Sequence, residues 1–367
     1  MLGIYVHFPF CERKCVYCAF SSFVKFDEED RYINCLLKEI EEFAKKYGRK
    51  IDADTIYFGG GTPSTVKVQN IKRVINKIKS CFNISPNSEI TIECNPHSTD
   101  LEKLKAYKEM GINRISFGVQ SLNDDELRFL GRLHNEKEAL EKVGLAREAK
   151  FDNISADLIV GIKGQTEESL LKSVKGLINA NVDHISSYML QVEEKTPLFE
   201  MVKRNADLLP SDDECVKMYE KVVSTLEKAG YNQYEVSNFA KKGKESRHNF
   251  KYWTGENYVG FGLGAHSYYN LTRSANSSNF EDYYKGKIQM SEKLDREKLI
   301  EEHIMLGLRC ERGISEGYLK SLGYNIRENE NFEFLKQNNI LSDENGKIYL
   351  NKKYYPVNNY IIVKLLP

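Results

Sequence analysis

Short runs of β-branched and aromatic residues alternate, through the first half of the chain, with longer segments in which apolar residues return every three or four positions. The short runs are Gly3 to Phe8, Thr55 to Phe58, Ile90 to Glu93, Arg114 to Val119, Asn153 to Val160 and His184 to Leu190, each of strand length. Between them the longer period predicts helices over Asp27–Tyr47, Val66–Cys81, Leu101–Met110 and Glu167–Ala180, with helical segments flanking Gly131-Arg132-Leu133-His134. Asp27, Glu28 and Glu29 suit the positive end of the first helix, and Gly48 suits its stop. Strand and helix alternating in this way predict an α/β fold with a parallel sheet. Six such units fall short of the eight that close a barrel, so the expected architecture is an open, partial (β/α)6 barrel.

Past Leu190 the alternation fades. Pro197 is followed by a helix predicted over Asp212–Gly230 and by the run Tyr231 to Val236. Lys241-Lys242-Gly243-Lys244-Glu245 reads as a solvated turn. Arg247-His248-Asn249-Phe250-Lys251-Tyr252-Trp253 then leads into the glycine-rich stretch Gly260 to Ser267. From Leu294 a helix over Arg296–Arg309, further short helices and the strand Lys347 to Leu350 predict a small α+β unit. The expected domains are therefore a core over 1–240, a connecting segment over 241–293 and a terminal domain over 294–367. The closing run Tyr360 to Leu366 is strand-length and broken by Lys364. No stretch approaches the roughly 20 apolar residues of a membrane helix. Leu2 to Val6 is too short and too early for a signal peptide.

Charge alters this picture little. Lysine and arginine total 53, as do aspartate and glutamate, so no overall field draws the chain to nucleic acid. Free cysteines without disulfide-like spacing place it in a reducing, cytoplasmic compartment.

The chemistry gathers where parallel α/β folds keep it, at the C-terminal ends of strands. Cys11, Cys15 and Cys18, spaced C-x3-C-x2-C, follow the first strand. Gly59-Gly60-Gly61-Thr62 follows the second; Glu93, Gln120 and Asp157 end the third, fourth and fifth. Three close thiolates suit an iron–sulfur cluster and leave a fourth iron open for a ligand. A zinc site is the alternative, although a fourth close Cys or His is missing. Glu93, Gln120 and Asp157 taken singly also suit helix or turn caps, and Arg132 suits a surface ion pair. Cys35, Cys81, Cys94, Cys215 and Cys310 read as buried small hydrophobes.

The cysteine spacing after a first strand resembles the signature of the radical S-adenosylmethionine (SAM) superfamily. There the cysteines hold a [4Fe–4S] cluster whose free iron chelates SAM, and an electron from the cluster cleaves it to methionine and a deoxyadenosyl radical. Tyr5 to Cys11, Gly59 to Ser64, Gly118-Val119-Gln120-Ser121 and Gly131 to His134 narrow the resemblance. They point to the branch of the coproporphyrinogen dehydrogenases and the HemW-type haem chaperones. By that likeness Tyr5, Gly59, Gly60, Gly61, Thr62, Glu93, Gln120, Arg132 and Asp157 are expected to contact SAM.

Three features incline the resemblance to the chaperones. Phe20 stands where the dehydrogenase has a fourth cysteine. The cysteine strand begins at residue 3, without the enzyme's long leading segment. His248 to Trp253 matches the HNxxYW motif associated with haem, which makes His248, Tyr252 and Trp253 candidates for haem contact. A structural histidine and a core tryptophan would carry the same residues. Ala19 departs from the aspartate that chaperones commonly have there.

The resemblance implies haem as cargo, respiratory haem proteins as acceptors and a haem donor. It also allows a cluster-dependent homodimer and peripheral contact with a membrane. The alternative function is oxygen-independent decarboxylation of coproporphyrinogen III in porphyrin biosynthesis. A third reading is a radical SAM enzyme acting on an unrelated substrate.

Overall fold

The computed structural model describes residues 1–48 and 50–367. Six parallel strands, β1 (Leu2–Phe8), β2 (Asp52–Gly60), β3 (Asn83–Cys94), β4 (Arg114–Gln120), β5 (Ile154–Val160) and β6 (His184–Met189), run side by side in chain order. Helices α1 (Glu29–Tyr47), α2 (Val68–Cys81), α3 (Leu101–Glu109), α4 (Asp124–Leu130), α5 (Glu136–Glu148) and α6 (Glu167–Asn179) connect them. The two sides of the sheet differ by the parity of each strand. In β4 the odd positions Ile115, Phe117 and Val119 are buried apolar side chains, while Arg114, Ser116, Gly118 and Gln120 face the bore. In β5 Ile154, Ala156, Leu158 and Val160 are buried and Asp157 faces the bore. The helices close over the apolar side. Tyr32, Ile33, Leu36, Ile40 and Ala44 form the inner stripe of α1, and Ile71, Val74, Ile75 and Ile78 that of α2.

After α7 (Pro197–Arg204) and α8 (Asp212–Lys228), the short strands β7 (Asn232–Gln233) and β8 (Asn238–Ala240) extend the sheet beyond β6 in antiparallel fashion. Residues 241–293, expected as a connecting segment, belong to the same sheet. Helix α9 (Arg247–Thr254) leads to β9 (Tyr258–Phe261), a seventh parallel strand pairing with the free edge of β1. The antiparallel strands β10 (His266–Tyr269), β11 (Thr272–Asn276) and β12 (Ile288–Lys293) continue from it, with α10 (Phe280–Tyr284) inserted. The glycines of Gly260-Phe261-Gly262 hid this strand. A Cβ on Gly260 would lie 2.3 Å from the carbonyl oxygen of His266, so glycine there marks a close approach of backbones rather than a loop. The twelve strands form one sheet, in the order β12-β11-β10-β9-β1-β2-β3-β4-β5-β6-β8-β7, that does not close on itself.

The terminal part has its own apolar core, in which Ile300, Ile304, Leu319, Phe332, Ile348 and Ile362 take part. Helices α11 (Arg296–Gly307), α12 (Glu316–Ser321), α13 (Phe332–Gln337) and α14 (Asn358–Leu365) surround a three-stranded sheet of β13 (Ile314–Ser315), β14 (Leu341–Glu344) and β15 (Lys347–Leu350). The strand-length closing run is thus helical. Ile361, Ile362 and Leu365 recur at helical spacing and are buried, while Lys364 points outward. The unit is tied to the core through Val236 N–H to the Arg309 carbonyl (3.0 Å) and Glu311 N–H to the Tyr234 carbonyl (2.9 Å). No helix among the described residues is long and apolar enough to cross a membrane.

Candidate functional site

A cavity of about 440 Å³ opens at the C-terminal ends of the parallel strands. Its floor begins below, at the opposite ends. Helix α9 lies across the N-terminal mouth of the barrel, its own first turn held by Glu89, whose carboxylate accepts from Arg247 N–H and His248 N–H, both at 3.0 Å. His248 is fully buried. Its Nδ1 lies 2.8 Å from the Thr55 hydroxyl and its Nε2 2.9 Å from the Tyr252 hydroxyl. The ring stacks on Tyr57 at 5.2 Å, and burial pushes its pKa down to about 3. Both nitrogens are occupied, so neither is free to ligate iron while α9 keeps this place. Tyr252 and Trp253 are half-buried on the same helix, and only Asn249 of the motif reaches the cavity wall.

The cysteine loop follows β1 and is held by backbone bonds to its own far end and to helices α4 and α7. Cys11 N–H donates to the Phe23 carbonyl (3.0 Å), Phe23 N–H to Pro9 (2.7 Å), Val16 N–H to Leu130 (3.2 Å) and Leu198 N–H to Val16 (2.9 Å). All three cysteines line the cavity, and burial raises the thiols of Cys11 and Cys18. Cys11 Sγ lies 3.4 Å from the Thr62 hydroxyl. Arg132 donates from Nη1 to Cys15 Sγ (3.5 Å) and from Nη2 to the Gly118 carbonyl (2.6 Å), while its buried Nε has no partner. Thiolates beside a guanidinium and an unpartnered N–H fit an iron–sulfur cluster carrying an anionic ligand. Among the described residues no group of three His, Cys, Asp or Glu converges as a single-ion site.

The glycine turn abuts this loop. Gly61 N–H donates to the Phe8 carbonyl and Thr62 N–H to that of Phe10, both at 2.8 Å, while Gly60 N–H donates to Glu93 (3.2 Å). The Thr62 carbonyl already accepts from Thr65 N–H (3.0 Å) and the Thr65 hydroxyl (2.7 Å), so the carbonyls of the turn with the right polarity for an ammonium group are those of Gly60 and Gly61. Gly60 sits at φ +110°, and a Cβ there would meet the His7 ring at 2.6 Å. That ring is fixed in turn: its Nε2–H donates to the Ser21 carbonyl (2.9 Å), so its Nδ1 accepts from Tyr5 (3.2 Å).

Glu93 accepts from the Tyr57 hydroxyl (2.8 Å) as well as from Gly60. Burial, opposed by the Tyr57 bond and aided by the Asp157 charge, moves its pKa up to about 7. Burial also raises Asp157, against the hydroxyl of Ser186. Gln120, though not glycine, holds φ +70°, where β4 loses register with β5. Such a residue at a cavity rim is strain of the kind that functional sites retain.

The structure therefore gathers Cys11, Cys15, Cys18, Gly60, Gly61, Thr62, Glu93, Gln120, Arg132 and Asp157 on one cavity wall. Tyr5 and Gly59 do not line it. They lie beneath, where a Cβ on Gly59 would touch Tyr5, Tyr57 and Glu93 at 3.0 to 3.1 Å. Of the five other cysteines, Cys81, Cys94 and Cys310 are buried, but Cys35 and Cys215 only partly so. Sequence reasoning passed over Arg114, Tyr57, Ser186 and Tyr188, which also line the cavity. Arg114 had a signal: an arginine inside a strand expected to be buried demands a partner. At the mouth Phe20 is 68% exposed and Tyr188 40%.

The model of the radical SAM superfamily matches residues 5–177. The haem chaperone HemW of Bacillus subtilis is 40% identical, over 86% of this chain and 85% of that one. HemW of Lactococcus lactis is 33% identical over 99% and 96%. A mitochondrial radical S-adenosyl methionine domain-containing protein 1 of Danio rerio is 35% identical over 85% and 74%. Among solved structures, coproporphyrinogen III oxidase (HemN) of Escherichia coli superposes with a TM-score of 0.87, covering 100% of this chain and 90% of that one, at 21% identity. At that identity the likeness is one of fold.

Proposed function

This chain belongs to the radical SAM superfamily and, within it, to the HemW-type haem chaperones; from that premise we propose that it binds haem and passes it to respiratory haem proteins. The observation that carries the proposal is the 33–40% identity to haem chaperones over most of both chains. Phe20 agrees with it, an exposed aromatic at the cavity mouth where the resembling dehydrogenase has a cysteine.

Cys11, Cys15 and Cys18 would hold a [4Fe–4S] cluster, shedding their protons as they do so. Bound there with SAM, the cluster supplies the electron for reductive SAM cleavage. The carbonyls of Gly60 and Gly61 would receive the methionine ammonium, and Arg132, whose Nε has no partner, would serve its carboxylate. Glu93, Gln120 and Asp157 offer oxygens to ribose hydroxyls. Tyr5 and Gly59 act from below, Tyr5 by orienting His7 under Gly60 and Gly59 by letting Glu93 approach.

Haem reaches His248 only if α9 leaves the barrel floor, since both imidazole nitrogens are bonded. The aromatic rim at Phe20 and Tyr188 is the better first contact for a porphyrin face. A haem donor, a cluster-dependent dimer and contact with a membrane belong to the same reading, in a reducing cytoplasm that keeps the cysteines out of disulfides. Anaerobic reconstitution followed by haem titration and transfer to an apo-haem protein tests it. A haem absorption band and transfer are expected. Protoporphyrinogen formation from coproporphyrinogen III, without haem transfer, would replace the chaperone with the dehydrogenase.

A further inference from the structure

Arg114 is the largest fully buried side chain among the described residues, 1% exposed, and its Nε and Nη1 have no hydrogen-bond partner. No ion pair to it falls within 4 Å among the described residues; the nearby carboxyls of Glu93 and Asp157 stand further off. Glu93 is already engaged with Tyr57 and Gly60, above it. Thr91, its register partner on β3, is likewise buried with an unpartnered hydroxyl. A buried guanidinium left alone is costly, and a fold has no structural reason to keep one. Arg114 also lines the cavity. Its place is below the SAM residues: Glu93 pairs with Ser116, and Arg114 is two positions earlier, about 7 Å deeper along the bore.

We propose that the lower bore is a second binding compartment, in which the unpartnered guanidinium of Arg114 receives a carboxylate distinct from that of SAM. A guanidinium binds a carboxylate bidentately through two N–H groups, and two are free here. Ser116, Ser186 and Asn249 add polar groups around it. Neither Glu93 nor Asp157 pairs with it: Glu93 is bonded to Tyr57 and Gly60. At 1% exposure Arg114 is reached only by a narrow group, so the carboxylate ends a flexible arm or belongs to a small free acid. On the chaperone reading, on which this inference rests, the arm is a propionate of the tetrapyrrole.

The test uses the anaerobically reconstituted protein with SAM. Haem and its dimethyl ester are titrated into wild type, R114M and R114K, and thermal protection by succinate is measured in parallel. The expected result is at least tenfold tighter binding of the free acid in wild type, a preference lost in R114M and partly kept in R114K. If acid and ester bind alike but succinate protects wild type and not R114M, the compartment stands and its ligand is a free acid. If neither haem form binds, the chaperone reading fails, and succinate protection alone decides the compartment. Equal haem affinities with no Arg114-dependent succinate effect overturn it. So does a loss of SAM affinity in R114M as large as the haem effect, because the carboxylate would then be SAM's own. The acid–ester comparison on wild type stands even if R114M does not fold.

Discussion

The Thr55 hydroxyl lies 2.8 Å from Nδ1 of His248, pinning helix α9 beneath the parallel strands. The residue with the look of a haem ligand is, in this arrangement, the bolt of the barrel floor. His248→Ala should orphan Thr55 and Tyr252 and open a void beneath Tyr57, lowering stability by about 3 kcal/mol. In the fraction that remains folded, the haem spectrum should match wild type. Chemical denaturation and a haem titration check both halves, and a changed spectrum would return His248 to the list of ligands.

Gly60→Ala should be far more damaging than its size suggests. The new methyl meets the His7 ring at 2.6 Å, and φ +110° is unfavourable to any side chain. The turn also holds Cys11 through Thr62. We expect a stability loss of more than about 2 kcal/mol and poor recovery of the broad iron–sulfur absorption near the visible edge after reconstitution. Full recovery would show that the turn yields more easily than the contacts imply.

Gln120 separates backbone from side chain. Gln120→Gly relieves the left-handed strain and should raise stability by roughly 1 kcal/mol, while Gln120→Ala keeps the strain. Both should weaken SAM binding, read by equilibrium dialysis, if the amide contacts the ligand. Equal melting temperatures for the two variants would remove the strain argument.

Glu235 is buried, and burial, opposed by Ser237 N–H and Asn238, moves its pKa from 4.5 up to about 7. The folded state therefore binds more protons than the unfolded state between those values. Stability from this group is full below pH 4.5 and falls as pH rises towards 7. Glu235→Gln should be close to neutral near pH 4.5 and stabilising by on the order of 2 kcal/mol at pH 8. Urea midpoints at the two pH values decide it. His248, depressed to about 3, works in the opposite sense, losing stability as pH falls below 6.5.

Much of this was legible in the chain. The six strand–helix units follow from periodicity, and the cysteines, Gly60, Glu93, Gln120 and Asp157 meet because strand ends meet. What escaped is non-local. Nothing adjacent to Tyr258–Phe261 reports that its partner is β1, some 250 residues earlier. Nothing in the HNxxYW spacing separates a ligand from a plug; the difference lies in Thr55 and Glu89, on two other strands. Tyr5 and Gly59 share the motifs of the cavity wall but face one level below it, a distinction set by strand stagger.

The backbone tethers of the cysteine loop, from Phe23 to Cys11, Leu130 to Val16 and Val16 to Leu198, have a thermodynamic consequence. A free loop surrenders about 1–2 kcal/mol of conformational entropy for each residue it orders on binding. Here much of that loss falls at folding, with the loop's own closure and with helices α4 and α7 that the tethers reach. Cluster assembly then has little left to immobilise beyond the side chains, so its affinity is set by iron–thiolate chemistry rather than by loop closure. The cluster-free protein should keep the same loop, waiting in the shape it will use.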